Sequence, residues 1–382
     1  FDGVKIGLHL HGNYMNLKHR FALTVWANTH LAQGGKPYFP QEEKGKAGWF
    51  SYRFDYQTTI DKLWKNASVY FSSRWLDGYE MYRTGLQKNL PKNFSIDINL
   101  KAFTRNRIAW RNYLLYRNEW STIWDNHHGF NASINITANF NYAKQKSGGN
   151  VRATLRSATL FNSSNYHYLE IEHTNTTSFW RLDFHNRIYG RIGTGNNLPN
   201  ESALYFAGAN AEEMMENKYV RAQGFFPPQW TGSYGSSTNH FHYGGGLNLR
   251  GYSGYLVVEK DNAGNTAFAY RGNSGWAVNT ELDFARIVQF KKNKLREWIG
   301  LNTYLFADAG MIHYTNSIGK NQFSQLRADA GVGAAFTIKK WSVLQGIQPL
   351  TIRFDVPFYV SHAPATEKNV QWRFVVGINR AF

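Results

Sequence analysis

The stretch FNASINITANFNY, Phe130 to Tyr142, alternates without a break. Phe130, Ala132, Ile134, Ile136, Ala138, Phe140 and Tyr142 form one set, and Asn131, Ser133, Asn135, Thr137, Asn139 and Asn141 form the other. A period of two marks a strand, because successive side chains leave opposite faces of the backbone. One face here is wholly apolar, while the other is uncharged yet densely polar. The pattern recurs along the chain. FSYRFDYQ sets Phe50, Tyr52, Phe54 and Tyr56 against Ser51, Arg53, Asp55 and Gln57. FSIDINLKA, LRADAGVGAAF, LTIRFDVPF and the closing VQWRFVVGINRAF alternate in the same way. No segment carries a convincing helical period. NAEEMMENKY, Asn210 to Tyr219, is the best local helix candidate, and it falls in a loop.

About sixteen segments read as strands, centred near residues 6, 24, 52, 71, 98, 116, 135, 156, 170, 186, 205, 281, 304, 332, 355 and 376. Each is near the roughly 9–11 residues that cross a bilayer at a tilt. Gly78 to Asn89 would make a seventeenth; it is assigned to a turn, because bacterial single-chain barrels have even strand numbers. From about residue 210 to 273 runs a long stretch rich in Gly, Ser and aromatic residues, without alternation. A loop of that length inside a compact domain is expected to be functional.

The two faces of these strands decide between architectures. A soluble sandwich buries its apolar faces in a core about 10 Å thick. A transmembrane barrel inverts this, with apolar residues against lipid and polar residues against a wet lumen, and closure gives every strand its hydrogen-bond partners. The Asn and Thr rows fit the lumen, and an aromatic content of 16% fits interfacial girdles. The expected fold is therefore all-β: one domain, residues 1–382, forming a 16-stranded antiparallel transmembrane β-barrel, with the long loop between strands 11 and 12. The location that follows is a bacterial outer membrane.

Composition sharpens this. The chain has no Cys, which excludes disulfide and thiolate chemistry. The net charge of +17 favours phosphate-rich partners. The basic residues are spread out rather than gathered in a patch or module, so nucleic acid is not expected, and outer-membrane lipid or lipopolysaccharide is. No HExxH, GxSxG, Walker loop or helix-opening GxGxxG is present. His127-His128 lacks metal-ligand spacing, and Glu170 and Glu172 read as balancing lumen cations. No enzyme activity, metal or cofactor is expected. The start at Phe1, with neither Met nor an apolar leader, reads as a processed or truncated chain.

Inside the long loop lies YGGGLNLRGYSGY, Tyr243 to Tyr255. Leu249-Arg250-Gly251-Tyr252 resembles the (V/L)-R-G-(F/Y) signature of the BamA/TamA superfamily (bacterial surface antigen), whose members insert or translocate proteins across outer membranes. LFADAG, Leu305 to Gly310, resembles the family's F-x-D-x-G strand. LRADAGVGAAF resembles its xGxG strand, and IRFDVPF, Ile352 to Phe358, resembles its penultimate strand. Phe382, with Gly377 five residues earlier, resembles the C-terminal assembly signal of such barrels, although Arg380 and Val375 depart from it.

The resemblance implies that the long loop between strands 11 and 12 is folded into the lumen and that its Arg250 pairs with lumen acids on the two following strands, for which Glu281 and Asp308 are the candidates. Parity places both on the polar faces of their strands. It also implies client outer-membrane or secreted proteins as partners, with periplasmic domains or accessory lipoproteins beside them. A seam is expected between the first strand, Gly3 to Leu10, and the last, Val370 to Phe382. Lys5, Gly7, Gly377 and Phe382 mark it, and its unpaired backbone groups could template an incoming strand. Two alternatives stay open. The DGVKIGL start resembles barrels of Bacteroidota fused to an enzyme of peptidase, phosphatase or lipase type, which would make this an anchor or export channel. A passive porin also folds a loop into its lumen.

Overall fold

The computed structural model describes residues 5–15, 18–28, 50–76, 78–105, 129–158, 164–195, 197–216, 241–260, 264–288, 297–316, 319–339, 350–364 and 367–382. The strand expected near residue 116, the pair His127-His128 and residues 217–219 lie outside them.

In chain order the strands are β1 (Lys5–Tyr14), β2 (His19–Asn28), β3 (Phe50–Thr59), β4 (Ala67–Leu76), β5 (Tyr79–Leu90), β6 (Phe94–Arg105), β7 (Asn131–Lys144), β8 (Ser147–Ala158), β9 (Tyr166–Phe179) and β10 (Leu182–Gly195). Five short ones follow: β11 (Leu204–Tyr205), β12 (Phe241–His242), β13 (Val258–Lys260), β14 (Thr266–Phe268) and β15 (Arg271–Gly272). The last are β16 (Ser274–Asp283), β17 (Ile299–Thr315), β18 (Asn321–Phe323), β19 (Arg327–Ile338), β20 (Leu350–Val360) and β21 (Val375–Ile378). Seventeen of them belong to one sheet, and two small pairs, β11–β15 and β13–β14, stand apart.

Contact density divides the chain into two compact units: residues 1–140, 152–169 and 194–201, and residues 141–151, 170–193 and 202–382. In the first, β1 to β7 form an antiparallel meander of consecutive neighbours. Its β5–β6 turn is tight, with Lys92 and Asn93 both at positive φ (62° and 58°), the geometry that matches strand twist across a short hairpin.

The faces of this meander are inverted relative to a soluble sheet. Ile134 and Ile136 are each 41% exposed, whereas Asn131 and Ser133 are 0% exposed. The polar row finds partners within the protein. Asn135 Nδ2 donates to Asn99 Oδ1 at 3.1 Å, and Tyr166 Oη donates to Asn131 Oδ1 at 2.9 Å. A face that exposes isoleucine and buries asparagine suits hydrocarbon outside and a polar interior.

The second unit repeats this inversion. Here β10, β16, β17, β19, β20 and β21 pair antiparallel in that order. Leu305 is 47% exposed, and Asp308, on the opposite face of the same strand, is 2% exposed.

Three expectations need correction. Tyr79–Leu90 is a twelve-residue strand, not a turn. Its alternation is concealed because the inward face begins with the apolar Tyr79 and Met81, while the opposite face carries Glu80, itself buried, and Lys88. The segment near residue 205 is not a long strand. It is the two-residue β11, paired with β15, and its apolarity serves burial with Phe206 in a loop core. The long loop therefore follows β10 directly. The last strand is also shorter than Val370 to Phe382, with its ladder covering only Val375–Ile378.

Candidate functional site

The site lies in the second unit, where the loop between β10 and β16 carries a small core of its own. Phe206, Leu247, Leu249 and Tyr252 are buried together with Ile312 and Tyr314 of β17. Within the loop, the helix α1 (Ala211–Glu216) opens with a reciprocal cap. Asn210 Oδ1 accepts from the Glu213 N–H, and Glu213 Oε2 accepts from the Asn210 N–H, both at 2.8 Å. Burial, followed by the nearby Glu170 carboxylate, pushes the Glu213 carboxyl up to about 7.

Leu249-Arg250-Gly251-Tyr252 forms a tight 3-10 turn, with the Tyr252 N–H donating to the Leu249 carbonyl at 3.1 Å. The turn is wedged by its side chains. Leu249 enters the loop core. Tyr252 packs edge-on against Phe206 at 5.5 Å, and its hydroxyl lies 3.1 Å from Ser361 Oγ. Gly251 has no room for a side chain, because a Cβ there would sit 2.6 Å from the Asp329 Cβ. Gly246 holds φ +51°, and a Cβ on it would meet the Tyr205 carbonyl at 2.5 Å.

Arg250 is fully buried. Its Nη1 donates to Glu281 Oε1 at 2.6 Å, and its Nε donates to Asp308 Oδ2 at 2.8 Å. Nη2 reaches Asp308 Oδ1 at 3.3 Å, and the guanidinium lies 4.3 Å from the Phe306 ring centroid. Burial by itself would lower the pKa of this group. The carboxylates of Asp308 and Glu281 outweigh that, and the guanidinium is held charged.

The network continues outward. Glu281 Oε2 accepts from Arg380 Nη2 at 2.6 Å, and Arg380 also reaches Asp283 at 3.1 Å. Asn279 joins four partners: its Nδ2 donates to Asp308 at 3.1 Å, to the Asn248 carbonyl at 3.1 Å and to the Leu247 carbonyl at 3.3 Å, and its Oδ1 accepts from Arg187 at 2.9 Å. Arg187 in turn pairs with Glu172 at 2.5 Å and donates to the Gly246 carbonyl. The glycines of β19 shape the floor. Gly331 lies opposite Phe306 and Gly333 opposite Tyr304, and a Cβ on either would fall within 2.6 Å of those rings.

The structure thus brings Leu249, Arg250, Gly251, Tyr252, Glu281 and Asp308 together. Phe382 approaches too, with its ring 5.7 Å from the Arg250 guanidinium. Gly377 lies under the Arg353 guanidinium. Lys5 and Gly7 belong to the first unit, where Lys5 Nζ donates to Ser51 Oγ at 3.3 Å and Gly7 is covered by the Trp26 ring. Sequence reasoning missed Asn279, Phe306 and Arg380 as members of the network. Parity flags the first two, since both share the polar face of a strand with an acid. Arg380 stands out only as a departure from the C-terminal pattern. Among the described residues no group of His, Asp or Glu is arranged to hold a metal.

No family model matches the chain, and no curated sequence is similar to it. Among solved structures, CdiB from Escherichia coli superposes with a TM-score of 0.50 at 9% identity, covering 97% of this chain and 59% of its own. The chain shares the fold of CdiB. CdiB from Acinetobacter baumannii (TM-score 0.46, 12% identity, 98% of this chain and 55% of its own) and BamA from Haemophilus ducreyi lacking POTRA domains 1-3 (0.45, 13%, 98% and 69%) are also similar. The chain spans a little over half the length of either CdiB. No helix among the described residues is long and apolar enough to cross a membrane.

Proposed function

We propose that this chain is the membrane barrel of a non-enzymatic machine that inserts or translocates other proteins at a bacterial outer membrane. Clients enter as extended chains, and the barrel assists by offering strand edges rather than by covalent chemistry. The loop, fixed by Arg250 between Glu281 and Asp308, sets which conformation the interior and the last strand adopt. The observation that supports this reading is the buried charge network. One guanidinium bridges two strands and ties a long loop to both, which is more organisation than a passive pore requires. Glu281 and Asp308 act as fixed anchors, Asn279 as a neutral connector, and Gly251 as the space that lets the turn approach β19.

The test is reconstitution of the full-length protein in lipid vesicles with a urea-unfolded small barrel as client. Wild type should accelerate client insertion, and Arg250→Ala should lose most of that acceleration while remaining inserted itself. Equal acceleration by both would remove the loop from the mechanism. A steady, large single-channel conductance in wild type, with no effect on the client, would establish a porin instead.

A further inference from the structure

The loop is attached to the rest of its unit in two different ways. At β16 and β17 it is held by side chains, through Arg250. At β21 it is held by backbone. On one edge β21 pairs antiparallel with β20, with Arg353 opposite Gly377 and Phe354 opposite Val376. On the other edge it pairs with β12 of the loop, Phe241 opposite Val376 and His242 opposite Gly377, and this pairing is parallel. A strand has two edges. At Val376 and Gly377 both are taken, so no other chain can pair there while β12 stays.

The seating of β12 is specific yet short. His242 is buried, and its Nδ1 accepts a hydrogen bond from Arg353 Nη2. Arg353 pairs with Asp355 at 2.8 Å and spreads over Gly377, where a Cβ would meet Nη2 at 2.5 Å. Ser253 Oγ donates to the Phe241 carbonyl at 2.9 Å. Beyond β21, Asn379 turns the chain at φ +67°, and the Ala381 carbonyl accepts from Asn248 Nδ2 at 3.2 Å. Only two residues of β12 join the ladder, and a parallel pair is less stable per residue than an antiparallel one. A longer segment arriving antiparallel on the same edge would therefore displace it.

We propose that β12 is an intramolecular stand-in for a client strand: it occupies the edge of β21 at Val376 and Gly377 in the resting barrel, and its departure admits an extended polypeptide of alternating apolar and polar residues. This deepens the insertion reading above and rests on it. It gives the loop a second task beyond fixing the interior, which is to keep a reactive strand edge covered until a client arrives.

The absence of cysteine makes the test clean. Phe241→Cys with Val376→Cys locks β12 on β21 upon oxidation, and Val278→Cys with Ala309→Cys, across β16 and β17, is the control lock. The probe is a synthetic peptide copying Asn131–Tyr142 with a benzophenone in place of Phe140, added to the full chain in lipid vesicles. Mass spectrometry reads photocapture on residues 375–378. The oxidised β12 lock should capture at least tenfold less peptide than its reduced form, and the control lock should capture equally in both states. A second variant, Phe241→Pro, weakens β12 in the ladder without any crosslink and should raise capture severalfold. Equal capture by the locked and reduced forms, or no capture in either, overturns the proposal. Capture that follows the lock, in a protein that fails to insert an unfolded client, upholds the stand-in and overturns the insertion reading.

Discussion

Replacing Arg250 by alanine isolates the energetics of the loop. The guanidinium is buried between two buried acids, and the two lose unequally when it goes. Glu281 keeps Arg380 at 2.6 Å. Asp308 keeps the Asn279 amide at 3.1 Å and a long contact with the backbone N–H of residue 250, but no ion pair with a cation among the described residues. Asp308 is therefore the uncompensated charge. Breaking a buried pair by removing one partner costs about 3–5 kcal/mol. That cost falls on loop docking, because the ladder joining Asn279 to Asp308 is backbone and survives. At ~1.4 kcal/mol per tenfold, the docked population falls by roughly a hundred to a few thousandfold. Hydrogen exchange of residues 244–255 in detergent micelles reads this directly, and the gel mobility of unheated protein confirms that the barrel persists. Adding Asp308→Asn to Arg250→Ala should restore at least half of the lost protection, since an amide needs no cation. If the single variant keeps its loop protection within threefold of wild type, the ion pairs do not hold the loop.

Gly251→Ala should loosen the same turn by about 1–3 kcal/mol through overpacking against Asp329, visible as faster loop exchange with an intact sheet. Glu213 has a folded pKa of about 7, above its unfolded value of 4.5, so it binds an extra proton in the folded loop. Its contribution is full below pH 4.5 and is lost as pH rises through 7, so proteolysis near α1 should be faster at pH 8 than at pH 5.5, and Glu213→Gln should abolish the difference. Ile136→Lys, on the outward face, should cost about 2–4 kcal/mol in urea titrations in vesicles if it lies near the bilayer centre; an unchanged midpoint would contradict the assigned faces. Arg380→Ala should weaken loop docking less than Arg250→Ala, because Glu281 retains Arg250 and Asp283 retains the Asn302 amide at 3.1 Å.

Strands with one chemically uniform face were legible from composition order alone. Ile134 and Ile136 against Asn131 and Ser133 specify a sheet and its two surroundings. What hid β5 was a change of environment along one face: Tyr79 and Met81 share the inward side with Arg83 and Gln87. Period-two reasoning expects each face to keep one character. The segment near residue 205 failed for the opposite reason, since a short apolar run serves a loop core as well as a strand. At the site, the acids facing Arg250 could be read by parity. Arg380 could not, because its position depends on the left-handed turn at Asn379, which no alternation encodes.

The two glycines of β19 beneath Phe306 and Tyr304 carry a consequence for divergence. The seat of the guanidinium is moulded by missing methyl groups, with the aromatic rings resting in hollows rather than on side chains. Filling one hollow with alanine would tilt a ring toward the cation, so such an exchange is tolerable only alongside a smaller ring. Relatives that shift the loop should therefore differ by paired changes here, glycine and aromatic together, while the acids stay as they are.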